Sequence, residues 1–164
     1  MTGLRAASDE APAAGHVDDV AVAELFRTEY EPMLRLAFVM LRSDAQAQDV
    51  VHDSMAKLIE RWATVENPGA YLRTIVVNRS RDLLRWRRRW SWKPLPEIAS
   101  DDADVDFVTD LLDGLSPTRR AIVVLRFYEQ CTIPEIAELL RMREGTVKSQ
   151  LHRSLHSLRE EIES

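Results

Sequence analysis

Residues 132–157, TIPEIAELLRMREGTVKSQLHRSLHS, decide how this chain is built. Thr132 followed by Glu135 has the spacing of a capping box, in which two side chains satisfy free backbone N–H groups at a helix start. The helix opened there reaches Leu140, and a tight turn around Arg141 and Met142 precedes a longer one. On the last helix Val147, Leu151, Leu155, Leu158 and Ile162 form one stripe, which the periodicity directs toward a core. The opposite side shows Thr146, Ser149, His152, Arg153 and His156. A short capped helix, a turn and a longer helix with a polar start make the helix-turn-helix layout. There the first helix braces the second, whose N-terminal half enters a major groove and bonds base edges and phosphates. The plain alternative is the solvated face of an amphipathic helix.

Working outward, Leu115-Ser116-Pro117 is a helix start, with Ser116 as the cap and Pro117 at the first helical position. Before it, Trp92 to Asp106 carries Pro94, Pro96 and four aspartates and reads as a linker. Upstream lies an arginine-rich helix that follows the turn signal Asn67-Pro68-Gly69. Its apolar side holds Leu72, Ile75, Val76, Leu83 and Trp86, and Arg73, Arg81, Arg85, Arg88 and Arg89 lie elsewhere. The preceding helix is capped by Ser43 or Asp44 and runs to about Trp62, with Val51, Met55, Leu58 and Trp62 on one side. Gln46, Asp49, Asp53 and Glu60 take the other side. The first helical stretch contains Val22, Leu25, Phe26, Leu34, Ala37, Phe38 and Leu41, and Pro32 predicts a kink or break within it. Residues 1–18 lack periodicity and are expected to be a disordered tail. No strand pattern competes, so the fold class is all-α.

Charge is laid out in blocks. Residues 67–93 hold 8 basic and 1 acidic side chains, whereas residues 94–113 hold 7 acidic and none basic. The net charge of -5 therefore hides a strongly basic segment. Arginines there suit phosphates, and unpaired bases stack on aromatics, although the nearby tryptophans are read first as core residues. Within 164 residues no run approaches the ~20 apolar residues of a membrane span. No signal peptide is recognisable, and one cysteine, Cys131, excludes an internal disulfide framework. Cys131 is assigned a packing role. His152 and His156 are four apart but have no third ligand nearby in sequence, so no metal is expected. With no Gly-rich phosphate loop and no nucleophile elbow, neither cofactor nor enzyme activity is expected.

Together, DAQAQDVVHDSMAKLIERW (44–62) with NPGAYLRTIVVNRSRDLLRWRRR (67–89) resembles region two of extracytoplasmic-function (ECF) sigma factors of bacterial RNA polymerase. The stretch from Leu115 to Glu160 resembles their region four, and the order and joint presence of both blocks carry the resemblance. It implies two small helical domains, a region-two helical bundle over 19–92 and a region-four helix-turn-helix over 108–164. A flexible acidic linker over 93–107 would join them. It implies a cytoplasmic subunit that binds core polymerase, recognises promoter elements and helps to melt DNA. Core binding, at the clamp coiled coil of the largest subunit, would use Gln46, Asp49, Val50 and Asp53, with the polymerase flap as a second contact. The minus-ten element would be held by Asn78, Arg81, Arg85, Arg88 and Arg89, and the loop from Ala63 to Ala70 would capture a flipped base. The minus-thirty-five element would be read by Arg143, Thr146, Lys148, Ser149, His152 and Arg153. An anti-sigma factor is an implied partner, and no further C-terminal domain is expected. Two departures stand out: Arg143 replaces the usual Ser or Thr cap, and Gln150 stands where the family often has Arg. A stand-alone helix-turn-helix regulator would explain residues 116–161 but leave the arginine-rich helix and the carboxylate helix unassigned.

Overall fold

The computed structural model describes residues 18–91 and 103–164, with side chains described from residue 106 onward in the second stretch. Helix α1 (Asp19–Leu41) begins on Asp18, whose carboxylate accepts the N–H groups of Val20 and Ala21 at 3.2 Å each. It is one helix. Pro32 lies inside it without a break, contrary to one of the two outcomes expected there. A proline inside a helix costs about 3 kcal/mol. Beyond it Met33, Leu36, Ala37, Val39, Met40 and Leu41 are all buried. A fully buried large aliphatic side chain contributes about 1.5–3 kcal/mol, so this half-helix outweighs the proline several times over.

Helix α2 (Asp44–Glu60) starts on Ser43, whose hydroxyl accepts the Gln46 N–H. It buries Val51, Met55 and Leu58, as the periodicity requires, together with Ala47, Val50 and Ser54. A 3-10 turn (Trp62–Thr64) leads to α3 (Pro68–Arg89), capped by Asn67 with Pro68 in the first turn. On α3 the buried positions are Leu72, Val76, Val77, Ser80, Leu84 and Arg87. Trp86, expected on the apolar side, is 47% exposed. Arg87 occupies the inward position instead, and its guanidinium donates to the Leu41 carbonyl at 2.7 Å. A cation on the last carbonyls of α1 satisfies groups the helix end leaves open. Helices α1, α2 and α3 pack against one another as a three-helix bundle.

Helix α4 (Ala103–Asp113) opens the second unit and starts inside the stretch expected to be linker up to residue 107. The remaining linker residues, the N-terminal tail to residue 17 and Trp92 lie outside the described residues. Helix α5 (Pro117–Val123) has Ser116 as its N-cap and passes into a π-helical turn, Val124–Tyr128. Helix α6 (Ile133–Leu140) carries the full capping box. The Thr132 N–H donates to Glu135 Oε2 at 2.6 Å, and the Glu135 N–H donates to Thr132 Oγ1 at 3.4 Å. The Thr132 N–H first, and then the Thr132 hydroxyl donating to the same Oε2 at 2.9 Å, hold the Glu135 carboxyl below its ordinary pKa. Arg141 then turns the chain in a left-handed conformation, φ 54°, into α7 (Glu144–Glu163).

The inward stripe of α7 is rotated from the expected one. Val147 and Ser154 are buried and Leu151 and Leu158 half-buried, but Leu155 and Ile162 are 39% and 60% exposed. Ser154 lies nearer the stripe's centre than Leu155 at 100° per residue, and its hydroxyl is satisfied by the Gln150 carbonyl at 2.7 Å. Helix α5 packs against α7. No strand occurs among the described residues, and none of their helices is long and apolar enough to cross a membrane.

The two units meet along a polar seam. Arg120 of α5 is buried and donates to the Met40 carbonyl at 2.7 Å, the Leu112 carbonyl at 3.1 Å and Asp113 Oδ1 at 2.6 Å. Burial pulls its pKa down, against the opposing pull of Asp113. Arg42, at the end of α1, reaches Asp110 at 2.6 Å and Asp113 at 2.7 Å. Its partial burial lowers its pKa, but the two carboxylates outweigh that and leave it raised.

Candidate nucleic-acid interface

The turn at Arg141 places the start of α7 in solvent. Arg143 occupies the N-cap with no side-chain cap bond, consistent with the missing Ser or Thr. Arg143, Thr146, Lys148, Ser149, His152 and Arg153 are all exposed, whereas Val147 between them is fully buried. The N-cap and first turns of α7 thus display the six residues chosen from the sequence around an anchoring Val147. Gln150 is half-buried, and its side-chain carbonyl accepts the Nε–H of Arg119 from α5 at 2.9 Å. Arg119, His152, Arg153, His156 and Ser157 line a cleft of about 320 Å³ beside this surface. Arg119 was not among the sequence candidates, because nothing in its spacing marks a residue 31 positions before Gln150 as a neighbour.

The arginine-rich helix is only partly free. Arg88 and Arg89 are exposed at its C-terminal end. Asn78 is half-buried, and its amide donates to the Thr74 carbonyl at 2.9 Å and across the seam to the Leu139 carbonyl at 3.0 Å. Arg85 donates to Thr118 Oγ1 at 3.1 Å, again across the seam, and lies 3.7 Å from Asp82. Arg81 has a buried Nε with no hydrogen-bond partner, and its pKa is lowered by burial and then by Arg85. Arg73 Nε lies 2.8 Å from Glu129 Oε2, an ion pair without the alignment of a hydrogen bond. Three side chains of α3 are therefore occupied by the second unit.

On α2, Asp49 and Asp53 are exposed, and Asp53 pairs with Arg79 of α3 at 3.2 Å. Gln46 is half-buried with its carbonyl oxygen buried and lacking a hydrogen-bond partner. Val50 must be corrected: it is 7% exposed and belongs to the core, one step around the helix from Asp49. The sequence reading also missed an aromatic group beside these carboxylates. Phe26 stacks on Tyr30 with centroids 4.9 Å apart, Tyr30 on His52 at 5.7 Å, and the Tyr30 hydroxyl meets His52 Nε2 at 3.1 Å. The four-residue step from Phe26 to Tyr30 was a usable signal, but His52 comes from another helix.

Among the described residues no three His, Cys, Asp or Glu are grouped to hold a metal. Cys131 is buried, and burial pushes its thiol above the ordinary range despite Arg73 nearby.

Comparison with known proteins matches both units. Residues 25–90 fit the model for sigma-70 region 2, and residues 108–158 fit that for sigma-70, region 4. The RNA polymerase sigma-E factor of Streptomyces coelicolor is 38% identical over 149 residues, covering 85% of this chain and 84% of that protein. The ECF RNA polymerase sigma factor SigM of Mycobacterium tuberculosis is 31% identical, covering 93% and 83%. Among solved structures, the sigma factor RpoE of Bartonella quintana, bound to the anti-sigma factor NepR, has a similar fold. Its TM-score is 0.71 at 21% identity, over 87% of this chain and 97% of that one. Two DNA-dependent transcription modules in this order define a class, the initiation subunits of bacterial RNA polymerase. This chain belongs to the sigma-70 family, as an ECF sigma factor. A stand-alone helix-turn-helix regulator would leave the region 2 match without an explanation.

Proposed function

We propose that the chain joins core polymerase through the exposed face of α2, with Asp49 and Asp53 leading and Gln46 at the edge. A row of carboxylates steers toward a basic partner surface such as the clamp coiled coil, with the flap as a second contact for region 4. In this reading the minus-ten element is held by Asn78, Arg81, Arg85, Arg88 and Arg89, and α7 reads the minus-thirty-five duplex through Arg143, Thr146, Lys148, Ser149, His152 and Arg153. The domains proposed are residues 19–92 and 108–164, with α4 beginning inside the intervening stretch. The work is recognition and strand opening in the cytoplasm, with the polymerase supplying the chemistry.

The observation that carries this reading is the start of α7, where six polar side chains are exposed around a fully buried Val147. Support on α3 comes from Arg88 and Arg89, exposed together at its C-terminal end. Because Asn78 and Arg85 bond to region 4 in the present arrangement, engaging DNA exchanges those contacts. The solved relatives RpoE and CnrH are recorded with NepR and with the cytosolic domain of CnrY, and a regulatory protein of the anti-sigma kind is proposed here too. The test is transcription in vitro with purified core enzyme, followed by sequencing of transcript 5′ ends. Transcripts that start at one shared promoter type only when this chain is added are the expected result. Start sites unchanged by its addition, together with no complex on gel filtration, would overturn the reading.

A further inference from the structure

The cleft between α5 and α7 has an unusual charge composition. It is lined by Arg119, His152, Arg153, His156 and Ser157, with no carboxylate among them. Among the described residues neither Arg119 nor Arg153 makes an ion pair, and the pair at this cleft joins His156 to Glu160 at 3.4 Å. Two arginines lining one open site with no carboxylate among the lining residues make it a favourable place for an anion. Arg119 is also held in place. Its Nε–H donates to the Gln150 side-chain carbonyl at 2.9 Å, which orders a side chain that would otherwise lose rotamer freedom on meeting a ligand.

We propose that Arg119, positioned by Gln150, is a backbone-phosphate ligand for duplex DNA and closes the flank of the surface that α7 presents. The inference rests on the reading of α7 as the duplex-reading helix. Here a guanidinium is supplied to the patch from α5, and the amide at position 150 becomes its anchor. A phosphate contact of this kind adds affinity and register but no base preference.

The experiment measures binding of upstream promoter duplex by holoenzymes carrying the native chain, Arg119→Ala, Arg153→Ala and the double change Arg119→Ala with Gln150→Arg, across a salt series. For Arg119→Ala the slope of log affinity against log salt should fall by about 0.9, the value for one lost phosphate contact. The base preference at every promoter position should stay as in the native holoenzyme. The double change should recover the slope, since it returns a guanidinium to the patch from α7, and this arm also excludes a folding defect. An unchanged slope in Arg119→Ala with normal upstream binding overturns the proposal and leaves the reading of α7 standing. A changed preference at one base pair overturns it as well, because Arg119 would then touch a base. Inorganic phosphate at matched ionic strength that displaces duplex from the native chain but not from Arg119→Ala would support the contact, because free phosphate and the DNA backbone would then compete for the same guanidinium. Should the native holoenzyme and Arg153→Ala both show no upstream preference, the reading of α7 fails and takes this proposal with it.

Discussion

Replacing Arg120 with Leu should cost about 3 kcal/mol of folding free energy, because it strips a buried cation from three acceptors at once. The guanidinium serves the Met40 carbonyl of α1, the Leu112 carbonyl of α4 and Asp113. A hydrogen bond from a charged donor contributes roughly 1.5–3 kcal/mol, which would overshoot if all three were summed. Two offsets reduce the total. Asp113 is half exposed and keeps Arg42 at 2.7 Å, so it is not orphaned. Burial already penalises the Arg120 charge, as its lowered pKa indicates, and the leucine recovers that penalty. The residual cost falls mainly on the Met40 carbonyl, which loses this donor in the seam, since the Leu112 carbonyl keeps the Leu115 N–H at 3.0 Å. Urea unfolding should show a lower midpoint with a similar slope. Asp113→Asn, altering the exposed end of the same pair, should lose under about 1 kcal/mol. Since the Met40 bond joins the two units, a fluorophore pair on exposed positions of α2 and α7 should also report their separation in Arg120→Leu. A loss below about 1 kcal/mol for Arg120→Leu, with unchanged transfer efficiency, would refute the reasoning, because the bonds would then contribute nothing net.

Four further outcomes are expected. Arg153→Ala should weaken upstream-element binding by about 1–3 kcal/mol at a single promoter position if it bonds a base edge, read by competition with a panel of base-pair substitutions. Reversing Asp49 and Asp53 to Lys should weaken the complex with core polymerase in a pull-down while leaving helicity unchanged, since both side chains are exposed; equal retention of the variant would show that another face docks. Thr132→Ala should destabilise by about 1 kcal/mol through loss of the α6 cap, measured as a shift in urea midpoint. Alkylation of Cys131 in the folded chain should be slow at neutral pH and accelerate only above the ordinary thiol range, because burial raises its pKa and only the thiolate reacts; rapid labelling at pH 7 would contradict that.

The sequence by itself settled the helices whose ends carry chemical punctuation. Ser43, Asn67, Ser116 and Thr132 each accept an N–H where local spacing said a helix begins. Such caps act within four residues, so no distant partner is needed to read them. The exposed start of α7 was legible too, with polar residues spaced around an anchored Val147. Tertiary structure decided whatever depended on a partner far along the chain. Pro32 stays inside α1 because the residues after it are buried, and Val50, Leu155 and Trp86 were misplaced because the inward arc of a helix follows its neighbours. Only the fold brings Arg119 to Gln150, Arg120 to Met40 and Asn78 to Leu139, at separations of 31, 80 and 61 residues. Periodicity reports which side of a helix is apolar, but it carries no information about which other helix will meet that side. The pairing of donors with acceptors across a seam is set by packing, where a buried polar group must find whichever partner the neighbouring helix presents.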